Sequence, residues 1–432
     1  MREGWKEYLL GDLITIKHGY GFKGEFFVDE PNKNLLLTPG NFAIGGGFKS
    51  DKMKYYEGPI SSDFVLSAGD VIVTMTDLSK QADTLGFSAR IPNDPKNVYL
   101  HNQRIGLVSL KNHDCDLEFI YWLLRTHSYQ RYIAGSSSGA TVKHTSPAKI
   151  YSAKVQIPKS KVTQRKIASI LSAYDDLIEN NLKRIKLLEE KAQLTYEEWF
   201  VKMRFPGHET AKFDEETGLP EGWEKKTIGD VCKVSGGGTP SRTVDEYWDG
   251  GDITWFSPTD LSKANSLCVL DSSQKITEFG LKKSSAKLLD TNSFMMTSRA
   301  TIGLFALINK PFTTNQGFIN VTPTNEFDKG FLIYNFKYRV EEFKSHATGA
   351  TFPELSKSKF NALDIIWPNE ESLKLFSEIT SVIHTQLFNL TKQNHLLNEA
   401  RDILLPRLMS GMIDVEEIQT TVEEMNITNA EK

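Results

Sequence analysis

Three glycines, Gly19, Gly21 and Gly24, follow Leu-Ile-Thr-Ile-Lys at 13–17, a short run that reads as a strand, and spell G-x-G-x-x-G. Such a turn cradles phosphate when it opens directly into a helix, whose first N–H groups point at the anion. The residues after Gly24, Glu-Phe-Phe-Val-Asp-Glu-Pro, carry no helical pattern, so the second part of that device is missing. Asp328 with Glu342-Phe-Lys344 loosely spells the D…E-x-K of metal-dependent nucleases. That chemistry needs its acids on neighbouring strands around a cation. Glu342 and Lys344 fall instead in a helical pattern, where a solvated face is the plain reading. There is no G-x-x-x-x-G-K-[ST] and no Asn/Asp-Pro-Pro-Tyr/Phe of the amino-methyltransferases. Cys115, Cys232 and Cys268 are far apart, and the nine histidines are scattered without zinc spacing. No catalytic, cofactor-binding or metal-ligating residue is expected.

The residues that remain suit recognition. Polar and basic loops alternate with aromatics, and Arg, Lys, Asn and Gln are the side chains that read base edges and hold phosphates. These loops come in two sets. The first holds 46–56 (GGFKSDKMKYY), 74–81 (TMTDLSKQ), 101–104 (HNQR) and 139–144 (GATVKH). The second holds 235–242 (SGGGTPSR), 259–266 (TDLSKANS), 297–301 (TSRAT), 314–317 (TNQG) and 349–359 (GATFPELSKSK). Contacts to DNA are expected from Lys49, Lys52, Lys54, Lys80, Arg104, Lys143 and His144 in the first set. In the second they are expected from Arg242, Lys263, Arg299, Lys357 and Lys359.

The two sets reflect a tandem duplication. Trp5-x5-Gly11-Asp12 returns as Trp223-x5-Gly229-Asp230, offset 218. Asn102-Gln103 returns as Asn315-Gln316, offset 213, and the Gly-Ala-Thr of Gly139 returns at Gly349, offset 210. Two copies with so long a period are repeated domains, not a solenoid. The duplication also disposes of the phosphate loop: Gly21 matches Thr239 and Gly24 matches Arg242, so the second copy keeps a turn and loses the motif. The Asn-Gln pairs, present in both copies, fit a shared architectural role as well as a contact role. Short strands (13–17, 71–75, 87–91, 105–110; 294–298, 304–309) and one amphipathic helix per copy (117–134; 329–347) make each globule mixed α/β.

Each copy then enters a heptad. Ile167, Leu171, Tyr174, Ile178, Asn181, Ile185 and Leu188 step by fours and threes, with Ile170 and Leu177 widening the stripe. The second gives Ile379, Ile383, Gln386, Leu390, Gln393 and Leu397. Stripes this long argue for a coiled coil. A two-fold relation between the copies sets the helices antiparallel. Asn181 and Gln393 then either meet in the seam, fixing its register, or face solvent or a partner.

Apolar content of 39%, charge of 25%, no run near twenty apolar residues and no signal-peptide pattern predict a cytoplasmic protein with no membrane partner. The net charge of −4 does not exclude DNA: residues 151–205 carry +4 (11 basic, 7 acidic), while 361–432 carry −7 (5 and 12), mostly in the tail from Asp414.

Residues 157–181 (IPKSKVTQRKIASILSAYDDLIENN), 197–209 (EEWFVKMRFPGHE), 219–231 (LPEGWEKKTIGDV) and 404–415 (LLPRLMSGMIDV) resemble the specificity subunits of type I restriction–modification systems. The resemblance covers nearly the whole chain. It implies an α+β fold: two repeated mixed α/β target-recognition domains separated by two long antiparallel coiled-coil helices with pseudo-two-fold symmetry. The expected divisions are 1–160 (first recognition domain), 161–205 (central helix), 206–368 (second recognition domain), 369–412 (C-terminal helix) and 413–432 (an acidic tail, expected to be disordered). It further implies a non-catalytic chain that reads a split target in double-stranded DNA. Two modification subunits bearing S-adenosylmethionine would methylate an adenine in each half-site. A restriction subunit, an ATP- and Mg-dependent motor-nuclease, would join them. A helix of about 50 Å would span about 15 base pairs. The competing readings are a self-contained nuclease or methyltransferase with duplicated recognition domains, and an adaptor that binds only protein.

Overall fold

A computed structural model of the chain describes residues 3–50, 53–77, 79, 81–349 and 353–416. The chain forms two compact units, Met1–Asp176 with Asn398–Lys432, and Leu177–Leu397. Each unit therefore takes part of both long helices.

In the first unit, Trp5–Leu9 pairs antiparallel with Lys154–Pro158, the strand that leads into the first long helix. Four antiparallel strands follow in the order Ile14–His18, Ile105–Leu110, Val71–Thr74, Ser88–Arg90. Val71–Thr74 is buried along its whole length, three apolar residues followed by a threonine whose hydroxyl donates to Thr76 O at 2.8 Å. A second sheet holds Phe27–Val28, Lys54–Tyr56, Asn34–Leu36, Val98–Leu100 and Val65–Leu66, with Val98–Leu100 parallel to Asn34–Leu36.

The second unit repeats this plan. Glu224–Thr227 pairs with Asp364–Trp367. The four-stranded sheet runs Cys232–Gly236, Phe318–Pro323, Phe294–Thr297, Phe305–Ala306. The other sheet keeps three strands, Gln274–Ile276, Ile253–Phe256 and Thr313–Thr314, again with one parallel pair. The echo in sequence is thus an echo in topology.

The amphipathic segment of each unit is two helices rather than one. Leu117–Leu123 stops and His127–Ser136 begins, because Thr126 caps both: its hydroxyl donates to Leu123 O at 2.8 Å and accepts from Tyr129 N at 3.4 Å. In the second unit Asp328–Tyr338 gives way to Val340–Ser345 at Arg339.

The long helices are Lys161–Tyr196, 36 residues, and Glu370–Met409, 40 residues. Within the second unit they run antiparallel, since Asn181 meets Asn394 while the Tyr196 ring lies against Phe376. Within the first unit they also run antiparallel, with Asp175 at Arg401 and Lys166 at Glu416. Ile167, Leu171 and Ile185 are buried, as are Ile383 and Leu390; Tyr174, Ile178, Leu188, Ile379 and Leu397 are half-buried.

Two expectations about the seam need correction. Leu177 is exposed, not part of the stripe. On the second helix the inward positions alternating with Ile383 and Leu390 are Thr380, Leu387 and Asn394, one residue beyond Ile379, Gln386 and Gln393. Gln386 and Gln393 are exposed. The apolar Leu387 displaces the polar Gln386 because only one of two neighbours can fill the groove. Asn181 is buried and donates to Asn394 Oδ1 at 3.0 Å, with Gln393 Oε1 at 3.4 Å on the rim.

Candidate nucleic-acid interface

In each unit four echoed segments converge at one end of the strands of the four-stranded sheet. The first two are the glycine turn and the Asn-Gln turn. A Cβ on Gly19 would stand 2.2 Å from Asn102 O, and one on Gly237 would stand 2.2 Å from both Asn315 O and Thr314 O. These glycines are required by close backbone approach, not by a phosphate. Tyr20 N donates to His101 O at 2.8 Å and Gln103 N to Tyr20 O at 2.9 Å; in the second unit Gly238 N donates to Thr314 O at 2.9 Å. Asn102 Oδ1 accepts from Arg104 N at 3.0 Å and Asn315 Oδ1 from Gly317 N at 2.8 Å. Both asparagines therefore cap their own turns, the architectural role open to them in sequence.

The other two segments are the end of the central strand and the Gly-Ala-Thr loop. Met75 N donates to Arg104 O at 3.0 Å, and Ser298 N to Gly317 O at 2.9 Å. Thr145 N donates to Met75 O at 3.0 Å, and Leu355 N to Ser298 O at 2.9 Å. Lys143–His144 pairs with Thr76–Asp77, and Arg299 bridges to Glu354. Gly139 and Gly349 sit at φ +99° and +116°, a conformation other residues rarely adopt.

This junction gathers Arg104, Lys143 and His144 in the first unit. His144 and Arg104 are exposed, and His144 Nδ1 lies 3.2 Å from Thr76 Oγ1. In the second unit it gathers Arg299, ion-paired to Glu354 at 2.7 Å, and Lys357, whose Nζ lies over Gly236. Lys359 turns away, its Nζ donating to His346 O at 3.3 Å. Four other residues are placed elsewhere. Lys54 lies in the five-stranded sheet with its Nζ 5.9 Å from the Phe27 ring, and exposed Lys49 is fastened through its backbone to Asn41. Arg242 stacks on Trp248 at 3.7 Å and bonds Gln274 at 2.7 Å, and Lys263 ends the short helix Pro258–Ser262. Lys52 and Lys80, like the tail beyond 416, lie outside the described residues.

Three supports were not picked out in sequence. Buried Asp77 accepts from Ser79 N and Thr84 N, both at 2.6 Å, and from the Thr84 hydroxyl at 2.8 Å. Burial pushes its carboxyl up, and these bonds more than offset it, leaving it below the usual range. Its signal is the Asp-x-Ser of an Asx turn. His101 is fully buried with Nε2 2.9 Å from Ile105 O, so Nε2 carries the proton; burial lowers its pKa. Buried Arg125 reaches Asp175 at 2.5 Å, Tyr121 Oη at 2.7 Å and Gly45 O at 3.0 Å. Burial raises the Asp175 carboxyl, but Arg125 and Arg401 pull it below the ordinary range.

The nuclease-like trio is dispersed. Asp328 accepts from Asn325 at a helix start, Glu342 is bound by Arg339 through two 2.7 Å bonds, and Lys344 pairs with Glu341. Among the described residues no cluster of His, Cys, Asp or Glu could hold a metal ion, and no helix is long and apolar enough to cross a membrane.

The two-copy organisation coincides with a family match. Residues 2–190 and 220–401 each fit the type I restriction modification DNA specificity domain. The chain belongs to that family. It is similar to the HindI specificity subunit of Haemophilus influenzae, 25% identical over 95% of this chain and 99% of that one. It is also similar to the MjaIX specificity subunit of Methanocaldococcus jannaschii, 35% identical over 200 residues. That match covers 46% of this chain and 45%, less than half, of the relative. The crystal structure of a type I restriction–modification S subunit from M. genitalium shares the fold, with a TM-score of 0.56, 17% identity, and coverage of 94% and 96%. The chain is thus a specificity subunit, the non-catalytic member of such a system, with the α+β fold of its family.

Proposed function

We propose that each unit reads one half of a bipartite double-stranded DNA target, through the junction of its four echoed segments. The observation that carries this is the junction itself, built twice with the same backbone bonds and with different exposed side chains. The two long helices set the spacing between half-sites and dock two modification subunits, which methylate an adenine in each half after flipping it from the stack. Apolar side chains left exposed at heptad spacing support the docking role. Val382, Leu396 and Ile403 lie on the second helix, with Leu187 and Leu194 on the first. S-adenosylmethionine belongs to the modification subunits, and ATP and Mg to a motor-nuclease subunit. The complex works in the cytoplasm.

The test is single-molecule methylation mapping of DNA from cells that express the modification subunit with and without this chain. A bipartite adenine-methylated motif present only with the chain is the expected result. No new motif from a stable complex would refute the reading and leave a protein-binding adaptor.

A further inference from the structure

The two junctions share their backbone and differ in one cross-loop pair. In the first unit His144 faces Thr76, with Nδ1 3.2 Å from Oγ1. In the second Glu354 faces Arg299, with Nη2 donating to Oε2 at 2.7 Å. The positions correspond. Thr76 and Arg299 each lie two residues past the end of the central strand, at Thr74 and Thr297. His144 and Glu354 each exchange a pair of backbone bonds with the residue before the left-handed glycine. Those are Ser138 with His144 (3.0 and 2.8 Å) and Thr348 with Glu354 (3.0 and 2.9 Å). A duplicated scaffold that meets different bases must keep its frame and vary where it reads. Here the frame is kept to within 0.1 Å in these bonds, and the pair across it is replaced.

The Arg299 pair has the geometry of a reader. Both side chains are part-exposed, 43% and 41%. Glu354 accepts from one end of the guanidinium, and among the described residues the fork makes no other hydrogen bond. Four of the five N–H groups remain, enough for a planar bidentate acceptor, and in the major groove that is O6 and N7 of guanine. Holding the fork before binding lowers the entropy lost on contact. Ala300, the next residue, is held at φ +61° by its N–H bond to Pro353 O at 3.1 Å. A left-handed alanine is costly, and such strain gathers at functional loops.

Resting on the reading that each unit engages one half-site, we infer that this cross-loop pair is a base-reading position in both units. Arg299 reads a guanine in the second unit's half-site, and Glu354 is the positioning residue that aims it. The first unit's pair has no bidentate fork: Thr76 is buried behind exposed His144, and the imidazole selects a different base at the matching place.

The test uses the chain assembled with its modification subunit, and duplexes in which each base pair of the mapped target is replaced in turn. Arg299→Lys keeps the charge but not the fork. It is expected to lose discrimination at one guanine by roughly 5- to 150-fold, with every other position and the whole first half-site unchanged. Glu354→Gln is expected to relax the same guanine, by less. A variant that methylates nothing is read by competition binding of the target against its guanine-substituted form. Discrimination equal to the parent's at every position, or loosened evenly across both halves, overturns the inference. Absence of any bipartite motif with the parent chain would instead overturn the reading beneath it.

Discussion

A methyl group on Gly19 would collide with the Asn102 carbonyl, whereas one on Gly24 would meet nothing within 4 Å. Gly19→Ala is therefore expected to destabilise the first unit by about 1–3 kcal/mol, and Gly24→Ala by less than about 0.5 kcal/mol. Urea unfolding of the two variants checks this, and equal effects would contradict the close-approach account of the glycine turn. His101 contributes a pH dependence at this scale, as does His384, whose pKa burial lowers to about 3. The folded pKa of His101 lies below the ordinary value of about 6.5. Above that pH both states are neutral and its stabilisation is complete. As pH falls below about 6.5 the unfolded chain takes up a proton that the folded ring resists. Stability then declines by at most about 1.4 kcal/mol per pH unit until the folded pKa is reached. The depressed carboxylates, Asp77 and Asp175, withdraw their share only below the ordinary range near pH 4. Stability measured from pH 7 to 5 should fall less steeply in His101→Gln than in the parent; parallel curves would contradict the assignment.

At the scale of elements, the helices hold each unit through a few polar contacts inside an apolar seam. Asp175→Asn removes the charge facing buried Arg125 and Arg401, and is expected to cost about 3 kcal/mol. Loss of the exposed Lys282–Glu278 pair should cost less than about 1 kcal/mol. Chemical denaturation compares them directly, and comparable losses would show that Asp175 is not the anchor it appears in the contacts. Asn181→Ala, which leaves Asn394 without its 3.0 Å donor, should cost about 1–3 kcal/mol. This scale is also where the sequence was most and least informative. The duplication exposed the repeated strands and both long helices, because apolar periodicity survives divergence. On the second helix the heptad pattern lies one residue from the packed seam, because two stepping patterns share Ile383 and Leu390 and only packing chooses Leu387 over Gln386. The break at Thr126 leaves no mark in the pattern, because the apolar run continues through it while the backbone does not. The decisive pairs at the junction join residues 68 and 55 apart in the chain, a separation that no local pattern records.

At the scale of the molecule, the chain is one recognition plan written twice, with a long helix after each copy. The central claim is that the two copies read independently. The most direct test replaces residues 1–150 with the matching segment of a relative that has a different target, and maps the methylated motif in cells that supply the modification subunit. The account predicts that one half of the bipartite motif changes while the other half and the spacer stay as they were. A motif changed in both halves, or left unchanged in both by a chimera that still methylates, would contradict it.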